Sequence, residues 1–200
     1  GVGQLLVQLV KAKGGRVIAT VGSDEKVAVA RAAGADEVVR YDQVDDLAAA
    51  IRALAPDGVH VAYDGVGKAT FDASLAALRR RGMLVLFGGA SGQVPPLDLQ
   101  RLNSGGSLFV TRPTLAHYTA DRDELVWRSG EILTAAADGT LDVAIGGRYA
   151  LDDVRRQALV EGGEHVRGAQ RGVRLGGRGA LGEPNRTGRA VRHRALADPR

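Results

Sequence analysis

Short β-branched runs alternate with longer amphipathic runs from the first residue to about residue 110, and few architectures absorb that pattern. Leu5, Leu6, Leu9 and Val10 recur on one helical face before the Gly14–Gly15 stop. Arg16–Val21 then reads as a strand. Ser23 caps a helix that carries Val27 and Ala30 and ends at Gly34. Glu37–Val39 is a second strand, Val44–Leu54 a helix and Val59–Tyr63 a third strand. Lys68–Leu78 is again helical, and "RRRG" turns the chain into a strand at Met83–Phe87. A Pro/Gly loop at Gly88–Leu97, a strand at Ser107–Val110 and a helix at Arg122–Ala137 follow. Strands separated by helices pair in parallel through right-handed crossovers, so the expected fold class is α/β, a doubly wound parallel sheet covered on both faces. The 200 residues contain no internal repeat.

Composition removes several function classes. A hydrophobic share of 44% with 4% aromatic residues suits an Ala/Val/Leu-packed core. The absence of cysteine rules out disulfides and thiolate zinc sites within these residues. No apolar run reaches the roughly 18–20 residues of a membrane helix, so no membrane role and a cytoplasmic location are expected. Charge is uneven. Residues 1–154 hold 4 Lys and 12 Arg against 19 acidic residues, whereas residues 155–200 hold 11 Arg and no Lys against 4 acidic residues. The expected domains are therefore 1–154 and an Arg/Gly-rich tail, 155–200.

The first three residues, "GVG", run straight into an amphipathic helix. Glycines there let a backbone bend sharply and approach a pyrophosphate at a helix N-terminus, and they equally suit an ordinary glycine-rich helix start. Neither reading is excluded by the three residues alone.

A longer signal favours the first. The stretches "GVGQLLVQLVKAKGGRVIATVGSDEK", "GADEVVRY" and "VAYDGVGKATFDASLAALRRRGMLVLFGGASGQVPPLDLQRLNSGGSLFVTRPTLAHYT" resemble the zinc-independent quinone oxidoreductases of the medium-chain dehydrogenase/reductase family over about residues 1–155. In that family a GroES-like domain precedes a Rossmann domain whose first strand enters an "AGGVG" turn. The resemblance implies a Rossmann-type sheet beginning inside that turn, with its first strand and the GroES-like domain missing, and inactive as these 200 residues alone.

It also implies cofactor contacts. Gly1, Val2 and Gly3 would lie under the pyrophosphate of NADPH, and Val66, Phe87, Gly88, Gly89 and Ala90 near the nicotinamide. Gly89 stands where relatives often carry Asn, which removes a side-chain contact. NAD-preferring sites place an acid at the end of the second strand, about 20 residues past the glycine turn. Gly22 and Ser23 occupy that place here, with Asp24 and Glu25 in the first turn of the next helix, where carboxylates favour the dipole. Lys26 and Tyr41, with Gly22 and Ser23, would receive the 2′-phosphate. The implied substrate is a quinone or conjugated enone, and Ser107–Val110 resembles the edge strand through which relatives form homodimers.

Other residues invite functional readings of their own. Asp64 is read as holding its turn rather than as a general base. His117 and Tyr118 have no carboxylate partner in the sequence pattern, and the four histidines lack metal-ligand spacing, so neither a metal nor a catalytic side chain is assigned. Nucleophile elbows and Walker loops are absent. The tail, with 11 Arg and 9 Gly in 46 residues, reads as an out-of-frame translation, a disordered segment or, least, a nucleic-acid contact lacking stacking aromatics. The resulting expectation is an NADPH-dependent quinone oxidoreductase, the alternatives being a non-catalytic nucleotide sensor or nucleic-acid binding through the tail.

Overall fold

The computed structural model describes residues 1–145, 148 and 150. The expected boundary at residue 155 and the Arg/Gly-rich tail lie outside the described residues. Residues Gly1–Ala144 form one compact unit. Its elements in order are α1 (Val2–Ala12), β1 (Ile18–Val21), α2 (Asp24–Ala32), β2 (Glu37–Arg40), α3 (Leu47–Leu54), β3 (Val59–Asp64), α4 (Phe71–Ala76) and β4 (Leu78–Leu86). The short α5 (Gln100–Ser104), β5 (Phe109–Thr111), the one-turn α6 (Leu115–Tyr118) and α7 (Arg122–Ala137) complete it.

Every ladder is parallel, as α/β alternation requires. β1 pairs with β2, from Ile18 opposite Glu37 to Val21 opposite Arg40. β4 lies between β3 and β5, with Val61, Met83 and Phe109 in one cross-strand row. Among the described residues β1 has no partner but β2, and β3 none but β4.

Side chains alternate across a strand, so the three-stranded sheet has two distinct faces. Leu84 and Leu86 point to one, where they pack with Phe71 and Leu75 of α4, Leu78 and Leu108; Leu84 is 0% exposed. Val61, Tyr63, Met83 and Phe109 point to the other and are exposed. The parallel α/β class is as expected, and among the described residues the face of β3–β4–β5 that carries these four side chains is exposed.

Local chemistry explains where element boundaries depart from expectation. α3 starts at Leu47 rather than Val44 because the Asp46 carboxylate accepts the Ala49 amide at 2.9 Å. α4 is confined to Phe71–Ala76 because Gly67 adopts φ +88 ahead of it and Leu78 has already joined the sheet opposite Val59. "RRRG" lies within β4 as an irregularity, with Arg81 at φ 58 and a register shift between Val59 and Val61. β5 begins at Phe109, two residues later than expected, since Ser107 is left-handed at φ 56 and the Leu108 amide turns back to the Leu102 carbonyl. α5 and α6 are too short to show a period in the sequence.

Candidate functional site

Open parallel sheets bind ligands beyond the carboxyl ends of their strands, and there two loops of the described chain pack backbone against backbone. The loop after β3 (residues 65–70) and the loop after β4 (residues 87–92) are stitched together. The Asp64 carbonyl accepts the Phe87 amide at 2.9 Å, the Val66 carbonyl accepts the Ser91 amide at 2.8 Å and its hydroxyl at 2.7 Å, and the Ser91 hydroxyl accepts the Ala69 amide at 2.9 Å. A side chain on Gly88 would strike the Gly65 carbonyl, and one on Gly67 would come within 2.8 Å of the Gly92 carbonyl oxygen and 3.0 Å of the Gly89 Cα. Glycine at these positions permits a backbone approach that any Cβ would block. The arrangement brings Val66 and Phe87–Ala90 into one cluster, with the Phe87 ring against Gly65.

Asp64 anchors this cluster from beneath. Its side chain is buried, with the residue 4% exposed, and accepts the Val66 and Gly67 amides and the Thr70 and Ser74 hydroxyls, each at 2.9 Å. With four donors on two oxygens, the carboxylate is used to fix the loop. Beside the cluster a cavity of about 460 Å³ is lined by Leu86, Gly88, Gly89, Gly92, Val94 and Arg112, and Arg112 donates to the Leu86 carbonyl at 3.0 Å.

A second corner forms where β1 and β2 end side by side. The Tyr41 amide donates to the Val21 carbonyl at 3.0 Å, and the Tyr41 phenol fills the space a side chain on Gly22 would need, its Cζ standing 2.7 Å from that position. Ser23 caps α2 by accepting the Lys26 amide at 3.4 Å. Gly22, Ser23, Lys26 and Tyr41 thus share one corner, and β1 carries no acidic residue at its end. Arg40, the last residue of β2, donates through Nε to Asp42 at 2.7 Å and through Nη2 at 2.6 Å, and through Nη1 to Asp24. Arg40 holds the Asp42 carboxyl below its ordinary range, and Asp42, with Asp24 adding to it, holds the Arg40 guanidinium in its charged form.

The third group is the start of α1. Gly1 is its N-cap without a side-chain cap, and Val2 and Gly3 lie in the first turn, exposed, with no heavy atom of the described residues within 4 Å of a side chain added at Gly1 or Gly3. The far side of α1 is tied down by Gln8, whose amide pairs with both backbone groups of Asp142, at 3.1 and 2.6 Å.

The other candidates separate cleanly. Tyr118 lies under the Arg128 guanidinium, 5.1 Å from its ring centroid, and His117 is exposed on α6. Among the described residues no three His, Asp or Glu side chains converge to hold a metal ion. Sequence reasoning missed Gly65, Ser91, Gly92, Arg112 and the Asp24–Arg40–Asp42 chain of charges. The glycines in "DGVG" and "FGGASG" were a signal for the first group, whereas Arg112 and Arg40 left none.

Known proteins match the same segment. The model of the family described as zinc-binding dehydrogenase matches residues 1–120. A quinone oxidoreductase of Salmonella typhimurium is 44% identical over 158 residues, 78% of this chain and 48% of its own. A mycobacterial quinone oxidoreductase structure superposes with TM-score 0.77 at 47% identity, over 82% of this chain and 51% of its own. The Escherichia coli quinone oxidoreductase solved with NADPH gives TM-score 0.70 at 40% identity, over 80% and 51%. The chain spans about half the length of the curated relatives it matches. With parallel α/β architecture, glycine loops at the strand ends and this likeness together, the chain belongs to the medium-chain dehydrogenase/reductase family, in its quinone oxidoreductase branch.

Proposed function

We propose that the protein expressed from the gene for this chain reduces a quinone or other conjugated carbonyl with NADPH. The observation that carries the reading is the corner where β1 ends on Gly22 against the Tyr41 phenol, with Ser23 and Lys26 alongside and no carboxylate at the strand end. An acid there would bond ribose hydroxyls and repel a 2′-phosphate; a glycine, a hydroxyl and an ammonium group accept one. The related Escherichia coli enzyme solved with NADPH supports the same assignment.

In this reading Gly1, Val2 and Gly3 offer the open N-terminus of α1 to the pyrophosphate. Val66 and Phe87–Ala90 hold the nicotinamide half, where the paired loops leave backbone rather than side chains facing the cofactor. Bound NADPH supplies the hydride, and this part of the protein positions it and keeps water from the ring. We assign no catalytic side chain within these 200 residues. The family description includes zinc, but the residues present do not fit that metal: the chain has no cysteine, and among the described residues no set of ligands converges. We therefore place no zinc on these residues. β5 pairs only with β4 among the described residues, which leaves its outer edge for a second copy in a homodimer. NADPH as reductant also favours a cytoplasmic location, and among the described residues no helix is long and apolar enough to cross a membrane.

The test is oxidation of NADPH by the gene product with a 1,4-benzoquinone and a 1,2-naphthoquinone as acceptors. Turnover with either supports the reading. Tight NADPH binding without turnover of any quinone or enone would replace the enzyme by a nucleotide sensor.

A further inference from the structure

The charged residues around the Gly22–Tyr41 corner pose a problem for a phosphate. Asp24 and Glu25 occupy the first turn of α2 beside Lys26, and Asp42 follows Tyr41. Three carboxylates, Asp24, Glu25 and Asp42, thus stand next to Lys26 and Tyr41 in the sequence. Arg40 resolves the conflict. Its side chain is only 15% exposed and it grips Asp42 with two parallel N–H···O bonds, which fixes the plane of the guanidinium. Its remaining nitrogen reaches Asp24, whose own side chain is 91% exposed and otherwise unrestrained. Asp24 and Arg40 sit on the ends of two neighbouring elements, α2 and β2, and sequence separation of 16 conceals the pair.

We propose that Arg40 is a specificity-positioning residue: by pinning and neutralising Asp24 it keeps that carboxylate from repelling the 2′-phosphate that Lys26 and Tyr41 receive. The proposal rests on the reading of this corner as an NADPH site and names a residue in it that the glycine-turn argument leaves out. Asp24 opens α2 directly after Ser23, so uncompensated it would add a carboxylate charge beside the same corner. Anchoring by Asp42 explains why the guanidinium stays with Asp24 rather than swinging into solvent. Arg40 is thus fixed by one carboxylate and spends its free nitrogen on the other.

The experiment is calorimetric titration of the gene product with 2′,5′-ADP and 5′-AMP, which differ by the 2′-phosphate alone. Removing Arg40 exposes a doubly charged phosphate to a full carboxylate charge through screened water, worth about a factor of five to ten in affinity. Arg40→Gln should therefore weaken 2′,5′-ADP about fivefold to tenfold with 5′-AMP changed by less than twofold. Arg40→Lys should retain most of the preference, and Asp24→Asn added to Arg40→Gln should restore it to within about threefold. Asp24→Asn by itself should change the preference by less than twofold, since that charge is already matched; this exposed substitution leaves the fold intact even if Arg40→Gln does not. An unchanged preference in Arg40→Gln, equal weakening of both nucleotides, failure of the double variant to recover, or a rise above fivefold in Asp24→Asn would each overturn the proposal. Equal binding of the two nucleotides by the unmodified protein would instead overturn the NADPH reading on which the proposal stands.

Discussion

Replacing Asp64 by alanine removes the one carboxylate that four donors share beneath the loop after β3. Two of them, the Gly67 amide and the Thr70 hydroxyl, bond to it where both partners are buried, while the Val66 amide and the Ser74 hydroxyl are partly accessible. Hydrogen bonds to a charged acceptor contribute about 1.5–3 kcal/mol, and a buried donor left without a partner costs about 1–3 kcal/mol. Water can replace the acceptor for Val66 and Ser74 but cannot easily reach Gly67 and Thr70, so the two buried donors dominate. Asp64→Ala should then destabilise the protein by about 3–5 kcal/mol. Asp64→Asn keeps one acceptor oxygen, and because the Ser74 hydroxyl can turn to accept, it should cost roughly 1–2 kcal/mol. Urea unfolding of the gene product, followed by far-ultraviolet circular dichroism, measures both. A structural anchor shows losses in that order, with NADPH affinity falling alongside as the paired loops slacken. An alanine variant within about 1 kcal/mol of the unmodified protein would refute the reasoning. So would an asparagine variant of full stability that has lost turnover, which is the mark of a general base.

Lys26→Ala should remove most of the preference for NADPH over NADH, about 10- to 100-fold for one charge-assisted contact, with NADH affinity nearly unchanged; fluorescence titration with both nucleotides reads this directly. Gly88→Ala forces a methyl group against the Gly65 carbonyl and within 2.8 Å of the Gly65 Cα, and should cost about 1–3 kcal/mol in urea unfolding together with at least a tenfold loss of NADPH affinity. The Asp36 carboxylate accepts two bonds from the Lys11 ammonium, at 2.7 and 2.9 Å, and the Val17 amide at 2.7 Å, and Lys11 first of all holds its pKa below the ordinary 3.8. A lowered folded-state pKa stabilises above the unfolded value and is lost as pH falls through the folded one, so the stability difference between the unmodified protein and Asp36→Asn should be constant from pH 5 to 7 and shrink below about pH 4.

Elements with strong local signals were legible in the sequence. α7 runs from Arg122 to Ala137 as its pattern implies, because Asp121 caps it by accepting the Glu124 amide at 2.8 Å. α2 lies between the Ser23 cap and Gly34 at φ +100 for the same reason. What was hidden is set by partners distant in the chain. Leu78 is drawn out of the expected helix by its pairing with Val59, and the bare face carrying Val61, Tyr63, Met83 and Phe109 looks in sequence like any buried strand surface. The Gly22–Tyr41 corner was half visible. Gly22, Ser23 and Lys26 are adjacent, and Tyr41 was reached through the family resemblance, but the packing of its phenol on Gly22 is a tertiary contact. The Arg40 bridge had no signal at all, since an arginine at a strand end is an ordinary solvated charge until Asp24 and Asp42 are seen around it.

We propose that the Gly22–Tyr41 corner and the paired glycine loops together hold NADPH. The most direct measurement is the dissociation constant of the gene product for NADPH and for NADH under one buffer and salt, by quenching of intrinsic fluorescence or by calorimetry. NADPH should bind at least tenfold more tightly, with the difference shrinking as ionic strength rises and screens the phosphate contact. Equal affinities, or tighter binding of NADH, would contradict it.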